Sequence, residues 1–70
     1  MDKKKEQTPI PRLNPELRKK MGLTQKQLAV AIGVDRSTVT KWESSASPPA
    51  VRFFPKIAEV LNCKISEILI

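Results

Sequence analysis

The sequence predicts an all-α fold in which five short helices form one compact domain. The chain has 70 residues, 40% of them hydrophobic, which is enough for a single small core. Residues that start and end helices recur at short intervals, and no segment alternates apolar and polar residues as a strand does. These observations favour helices near residues 15–21, 25–32, 36–43, 52–61 and 65–70.

Residues 1–13 are predicted to form a flexible basic N-terminal arm, which precedes a folded domain over residues 14–70. The arm contains three adjacent lysines and shows almost no apolar periodicity. It can serve as a solubilising tail or as an arm that contacts phosphates. The absence of a sequence pattern within it favours the solubilising tail.

The first two helices each begin with a recognisable capping sequence. Asn14 is a suitable N-cap and Pro15 fits the first helical position, while Gly22 can adopt the left-handed conformation that ends the helix. Thr24 and Gln27 have the spacing of a capping box at the start of the second helix. Both helices are therefore predicted from local signals alone.

The third helix, residues 36–43, follows a short turn. Asp35 is expected to cap it, with the carboxylate near the positive end of the helix dipole. Val39 and Trp42 are expected to pack inward, because their spacing of three places both on one face. Trp42 could also stack on a base, but this spacing favours the core. The other positions carry short hydrogen-bonding or cationic side chains, namely Arg36, Ser37, Thr38, Thr40 and Lys41.

The last two helices follow a Ser- and Pro-rich loop over residues 44–50. Pro55 lies in the first turn of the fourth helix, where proline is tolerated, and Asn62 is the expected left-handed C-cap. Phe53 lies off the apolar stripe, and either packing or a contact beside a ligand would suit it. The apolar tail either completes the core or faces a second subunit; its large residues are Ile65, Ile68, Leu69 and Ile70.

Composition restricts the function classes. The net charge is +6, which favours a polyanionic partner. The chain has no His, one Cys and two Gly, so the usual general base, zinc ligands and Gly-rich phosphate loop are missing. We therefore expect no enzymatic activity, no cofactor and no small-molecule ligand, and we expect Cys63 to act as a small hydrophobe. No apolar run approaches the roughly 20 residues of a membrane span, and no secretory signal follows Met1, so a cytoplasmic protein is expected.

The second and third predicted helices have the spacing of a helix-turn-helix. A three-residue turn containing Gly33 joins them, and this position requires a positive φ. Ala29 stands where the two helices cross, and only a small side chain fits there. Val39 and Trp42 stand where the later helix packs back on the earlier one. This arrangement leaves the outer face of the third helix free to enter a groove.

Three segments resemble the helix-turn-helix domains of lambdoid phage repressors and Cro proteins and the related XRE-type bacterial regulators. They are LRKKMGLTQKQLA at 17–29, IGVDRSTVTKWE at 32–43 and LNCKISEIL at 61–69. The resemblance covers residues 13–69 and implies a compact lambda-repressor-like domain, bacterial or phage-encoded and associated with the nucleoid. One departure is that Ser44 follows Glu43, where related proteins often have Gly.

The resemblance also implies roles for particular residues. In this family the first residue of the second helix holds a backbone phosphate, which here is Gln25. The residues that read base edges match Arg36, Ser37 and Lys41. An Arg of the first helix often pairs with a Glu that ends the third, which suggests a structural ion pair of Arg18 with Glu43. These regulators typically dimerise through the C-terminal end, which suggests dimer contacts by Ile65, Leu69 and Ile70.

The chemistry of these side chains suits the major groove, which admits one α-helix. Arg36 can bond bidentately to guanine O6 and N7, and Lys41 can reach a guanine or a phosphate. Thr hydroxyl and methyl groups suit other base edges. The predicted base-reading residues are Arg36, Ser37, Thr38, Thr40 and Lys41. The predicted phosphate contacts are Gln25, Gln27, Ser47 and Arg52.

Two function classes follow from these residues. The first is a sequence-specific transcriptional regulator, a repressor, that binds a near-palindromic double-stranded DNA operator as a homodimer. The alternative is a protein-interaction module or antitoxin that uses the same fold to hold a partner protein. A protein-binding face would be richer in exposed Leu, Phe or Met, so the cationic and hydroxylated third helix favours DNA.

Overall fold

The computed structural model describes residues 11–44 and 47–70. It contains four α-helices: α1 (Pro15–Lys20), α2 (Gln25–Ile32), α3 (Arg36–Glu43) and α4 (Phe54–Leu61). Two short 3-10 turns, Val51–Phe53 and Ile65–Glu67, flank α4. The all-α prediction is confirmed. Residues 1–10 of the predicted arm and the loop residues 45–46 lie outside the described part of the chain.

The predicted fifth helix over residues 65–70 is wrong, because only a 3-10 turn forms at Ile65–Glu67. The last residues instead run extended and pair with the segment before α1. Leu13 and Leu69 form an isolated antiparallel bridge. The backbone N–H of Asn14 donates to the carbonyl of Ile68 at 2.9 Å, and that of Ile70 donates to the carbonyl of Arg12 at 2.8 Å. This pairing supplies the hydrogen bonds that a helix would otherwise provide.

Leu13 belongs to the folded domain and not to the arm in which the sequence placed it. Its side chain is fully buried, and its backbone N–H donates to the carbonyl of Trp42 at 2.8 Å. The segment that leads into α1 is therefore fixed between the C-terminal end of α3 and the last residues of the chain. The folded unit begins before residue 14.

Local signals set most helix boundaries. Asn14 Oδ1 accepts a hydrogen bond from the N–H of Glu16 at 3.0 Å. The capping box of α2 is complete, since Thr24 Oγ1 accepts from the N–H of Gln27 at 3.0 Å and Gln27 Oε1 accepts from the N–H of Thr24 at 2.9 Å. Gly33 and Asn62 end α2 and α4 in the left-handed conformation, with φ of 94° and 55°.

One cap and two boundaries differ from the prediction. Asp35 is the N-cap residue of α3, but its side chain forms no capping hydrogen bond. The N–H of Thr38, which a cap would bind, donates instead to the backbone carbonyl of Asp35 at 3.0 Å. The first helix ends at Lys20 instead of Met21. The fourth begins at Phe54 and not at Arg52, because a tighter 3-10 turn precedes it.

The hydrophobic core lies where α2, α3 and α4 meet the two ends of the described chain. Its nine buried residues are Leu13, Leu28, Ala29, Val39, Trp42, Ile57, Ala58, Leu61 and Ile68. Ala29 is 1% exposed within this core, and Trp42 is buried in the core as its spacing from Val39 predicts. In the described ranges, no helix is long and apolar enough to cross a bilayer.

Candidate nucleic-acid interface

Helix α3 is anchored by two buried side chains on its inner face and carries the candidate base-reading residues on its outer face. Val39 and Trp42 are 0% and 4% exposed, and they fix the inner face of the helix against the core. Four of the five predicted base-reading residues are exposed, namely Arg36, Ser37, Thr40 and Lys41, while Thr38 is half-buried. In the described part of the chain this face is therefore open to a ligand.

The predicted phosphate contacts lie on separate elements. Gln25 is half-buried at the first position of α2, and Gln27 is exposed at the third position. The capping box uses Gln27 Oε1 as an acceptor, and its amide nitrogen remains available to donate to a phosphate. Ser47 in the loop and Arg52 in the 3-10 turn before α4 are both exposed.

Arg18 and Glu43 form a largely buried ion pair behind this face, as the family resemblance implies. Arg18 Nε lies 2.8 Å from Glu43 Oε2, and Arg18 Nη2 donates to Glu43 Oε1 at 3.1 Å. Their side chains are only 12% and 6% exposed. Arg18 Nη1 also donates to the carbonyl of Leu23 at 2.8 Å. The guanidinium thereby joins α1, the turn before α2, and the end of α3.

Gln25 extends this pair into a polar network that the sequence did not predict. Its Nε2 donates to Glu43 Oε1 at 3.0 Å, and its Oε1 accepts from Thr40 Oγ1 at 2.8 Å. Thr40 Oγ1 also lies 3.1 Å from the carbonyl of Arg36. The spacing of three between Thr40 and Glu43 places both on one face of α3, which is the available sequence signal. Only the helix crossing brings Gln25 onto that face.

Phe53 is a packing residue that links α3 to the segment before α4. Its ring centroid lies 5.3 Å from that of Trp42 at an interplanar angle of 49°. The guanidinium carbon of Arg52 lies 4.9 Å from the centroid of the Phe53 ring, within the range of a cation–π contact. Arg52 is therefore held by an aromatic stack that continues into the core.

The predicted dimer residues differ in exposure. Ile65 and Ile70 are 49% and 57% exposed, whereas Leu69 is half-buried beside the core. Ile68 is fully buried. Part of the tail therefore completes the core, while two large apolar side chains remain on the surface, and their contact with a second subunit stays a prediction.

Cys63 is half-buried, and burial raises the pKa of its thiol, with a further increase from the carboxylate of Glu67. The thiolate is thus disfavoured, which agrees with Cys63 as a small hydrophobe. In residues 11–44 and 47–70, no group of three or more His, Cys, Asp or Glu side chains could hold a metal ion.

Comparisons with known proteins agree with this geometry. Residues 16–68 match the family described as Helix-turn-helix. Two curated relatives from Archaeoglobus fulgidus are both named "Uncharacterized HTH-type transcriptional regulator" and are 40% identical over 55 residues. The first alignment covers 79% of this chain and 79% of the relative, and the second covers 79% and 78%.

Two solved structures have a similar fold. The P22 c2 repressor protein, in complex with synthetic operator 9T, has a TM-score of 0.70 and 25% identity, covering 74% of this chain and 79% of that one. The restriction-modification controller protein C.AhdI from Aeromonas hydrophila has a TM-score of 0.70 and 34% identity, covering 76% and 77%. The fold is lambda-repressor-like, and the family consists of regulators and not of enzymes. The chain belongs to the helix-turn-helix family of transcriptional regulators that includes the lambdoid phage repressors and their XRE-type relatives.

Proposed function

We propose that the chain is a cytoplasmic, sequence-specific regulator, a repressor, that places α3 in the major groove of double-stranded DNA. One observation carries the proposal: Val39 and Trp42 anchor α3 while its cationic and hydroxylated face is exposed. A major groove admits one α-helix and presents a distinct pattern of donors and acceptors for each base pair. The P22 c2 repressor, whose fold is similar, was solved with an operator.

The exposed residues of α3 are proposed to read bases. Arg36 is exposed at the first position of α3, and the N-terminal residues of a recognition helix contact base edges. A bidentate contact of Arg36 with guanine O6 and N7 would contribute about 1–3 kcal/mol of discrimination. Ser37 and Lys41 are exposed beside it, and Thr38 is half-buried. Thr40 differs from these residues, because its hydroxyl is already bonded to Gln25.

The flanking residues are proposed to hold the phosphate backbone. Gln25 and Gln27 lie in the first turn of α2, where backbone N–H groups and the helix dipole favour an anion. Arg52 is presented by its stack on Phe53, and Ser47 precedes it in the loop. Such contacts fix the register of the protein on the duplex without reading its sequence.

A homodimer on a near-palindromic operator is proposed, with Ile65, Leu69 and Ile70 in the contact between subunits. Ile65 and Ile70 are large apolar side chains that the described core leaves half exposed. Two copies would place two α3 helices in successive major grooves about 34 Å apart. The fraction of operator bound would then rise steeply with protein concentration, because both half-sites must be filled.

Selection from randomised duplex DNA tests the proposal. The selected sequences should share a near-palindromic motif, and fluorescence anisotropy should show affinity that falls steeply as salt rises. Arg36→Ala should lose preference at a defined base position, whereas Gln25→Ala should weaken all duplexes alike. Recovery of no motif, with equal affinity for every duplex, would favour the protein-interaction alternative.

A further inference from the structure

We propose that Thr40 is a positioning residue: together with Glu43 it holds the carboxamide of Gln25 in one orientation and leaves a single Nε2 proton for a DNA phosphate. The inference rests on the proposed function and adds to it the hydrogen bonds that orient Gln25 before it contacts a phosphate. It also assigns the Thr40 hydroxyl to Gln25 and not to a base. The contacts of Gln25 with Glu43 and Thr40 carry it.

The orientation of the amide follows from the chemistry of Glu43. An ionised carboxylate only accepts hydrogen bonds, so the amide must present Nε2 and not Oε1 to Glu43 Oε1, 3.0 Å away. A flipped amide would bring two oxygens together there. With Nε2 fixed against Glu43, Oε1 is left to accept from Thr40 Oγ1 at 2.8 Å. Both ends of the carboxamide are then held.

The Thr40 hydroxyl has one proton, and two acceptors compete for it. Gln25 Oε1 lies at 2.8 Å and the carbonyl of Arg36 at 3.1 Å. Either acceptor keeps that proton inside the protein. Among the predicted base-reading residues, Thr40 is therefore the one whose hydroxyl proton is already used within the protein. It contributes to DNA binding by orienting the carboxamide of Gln25.

One N–H of Gln25 remains for a ligand. Nε2 carries two protons, and the contact with Glu43 uses one of them. A phosphate beside Glu43 would be repelled by a free carboxylate, but Arg18 neutralises this one through two hydrogen bonds, at 2.8 and 3.1 Å. The ion pair thus makes the site compatible with an anion.

The advantage of this arrangement is preorganisation. A free Gln side chain loses rotamer freedom when it binds, at a cost of about 0.5–1.5 kcal/mol for such side chains. Gln25 has already lost that freedom in the folded domain. The network also joins the first residue of α2 to α3, so the phosphate contact and the base-reading face belong to one rigid unit.

The DNA-binding test uses the full chain and the duplex recovered by selection. Thr40→Val keeps the shape of the side chain and removes the hydroxyl, while Thr40→Ser keeps the hydroxyl. We expect Thr40→Val and Gln25→Ala each to weaken binding to every duplex by about fivefold, the worth of one net hydrogen bond. Thr40→Ser should bind within about twofold of the wild type, and the double variant should be no weaker than Gln25→Ala.

The salt dependence separates this effect from the loss of a cationic phosphate contact. Neither Thr40 nor Gln25 is charged, so both variants should keep the wild-type slope of log affinity against log salt. Arg52→Ala, as the charged comparison, should make that slope less steep by about 1, because one phosphate contact is lost. A change of base preference at one position in Thr40→Val, or wild-type affinity in that variant, would overturn the proposal.

A second readout does not depend on DNA. In the free protein, NMR should show the two Nε2 protons of Gln25 at chemical shifts displaced from those of a free glutamine and in slow exchange with water, and Thr40→Val should move both toward the free values. Free-glutamine shifts with fast exchange in the wild type would overturn the positioning role even if DNA binds. An ordered amide in a protein that binds no duplex would leave the positioning intact and refute the DNA-binding function.

Discussion

The guanidinium of Arg18 lies against the carboxylate of Glu43, with Nε 2.8 Å from Oε2 and Nη2 3.1 Å from Oε1. Both side chains are nearly buried, at 12% and 6% exposure. Arg18 also binds the carbonyl of Leu23 at 2.8 Å. This single pair therefore fixes α1 and the end of α3 relative to the turn that precedes α2.

Glu43→Gln should destabilise the domain by about 2 kcal/mol, because it leaves the guanidinium of Arg18 buried without a counter-charge. Urea denaturation followed by circular dichroism measures the change. Glu16→Gln is the matched control, since Glu16 Oε2 lies 4.0 Å from Lys19 Nζ and both side chains are more than half exposed. The control should change the free energy of unfolding by less than about 0.5 kcal/mol. Equal effects of the two substitutions would contradict a structural role for the buried pair.

Ala29→Leu should destabilise the domain by about 1–3 kcal/mol, because Ala29 is 1% exposed in the core, where it is expected to lie at the α2–α3 crossing, and a larger side chain must displace its neighbours. Ala31→Leu, two residues along α2 at an exposed position, should change stability by less than about 0.5 kcal/mol. Thermal unfolding of both variants gives the comparison. A tolerated leucine at position 29 would mean that the crossing is looser than the structure indicates.

Leu13→Ala should cost about 2–4 kcal/mol, because the side chain is fully buried and its removal leaves a cavity. The matched control is Ile70→Ala, which truncates a side chain that is 57% exposed near the same bridge. Its effect should stay below about 1 kcal/mol. Chemical denaturation of both variants tests whether the domain begins at Leu13, and a negligible effect of Leu13→Ala would return this residue to the arm.

The Cys63 thiol should ionise at a higher pH in the folded domain than in the unfolded chain, because burial and the Glu67 carboxylate both raise its pKa. The folded domain favours the neutral thiol, and this preference contributes to the free energy of unfolding. The contribution is fully present below the pKa of the unfolded thiol and is lost as pH rises through the higher pKa of the folded one. Iodoacetamide labelling against pH should therefore have its midpoint at higher pH in buffer than in urea. Glu67→Gln should lower the folded midpoint part of the way, since burial remains. Coincident folded and unfolded midpoints would refute the shift.

The helix-turn-helix core could be predicted because its signals are local. The capping box of Thr24 and Gln27 and the left-handed conformations of Gly33 and Asn62 each depend on residues within one turn of the chain. The burial of Val39 and Trp42 follows from a spacing of three on one helix. Neighbouring residues contain enough information to fix these features.

The errors arose where distant residues decide the structure. A short apolar run such as residues 68–70 suits either a helix or an extended segment. Backbone hydrogen bonds with Arg12–Asn14 from the other end of the chain place Leu69 in an antiparallel bridge, while Ile68 keeps helical backbone angles at the end of the 3-10 turn. That pairing also places Leu13 in the core. Asp35 is a local exception, because its own backbone carbonyl accepts the N–H of Thr38 that its side chain was expected to bind.

The candidate site also has features that local sequence predicts and features that depend on contacts between distant residues. Exposure of Arg36 and Lys41 follows from anchoring α3 on its opposite face, which periodicity predicts. The link from Gln25 to Thr40 requires the α2–α3 crossing to bring two side chains within 2.8 Å, and no sequence spacing encodes that distance. The roles of these residues in reading bases and holding phosphates stay predictions.

Methylation interference is the most direct measurement of whether α3 enters the major groove. Dimethyl sulfate methylates guanine N7 in the major groove and adenine N3 in the minor groove. With the selected operator, N7-methylated guanines at defined positions should block wild-type binding, and Arg36→Ala should lose the interference at one of those guanines while keeping the others. Interference by N3-methylated adenines alone, with an unchanged pattern in Arg36→Ala, would contradict recognition by this helix.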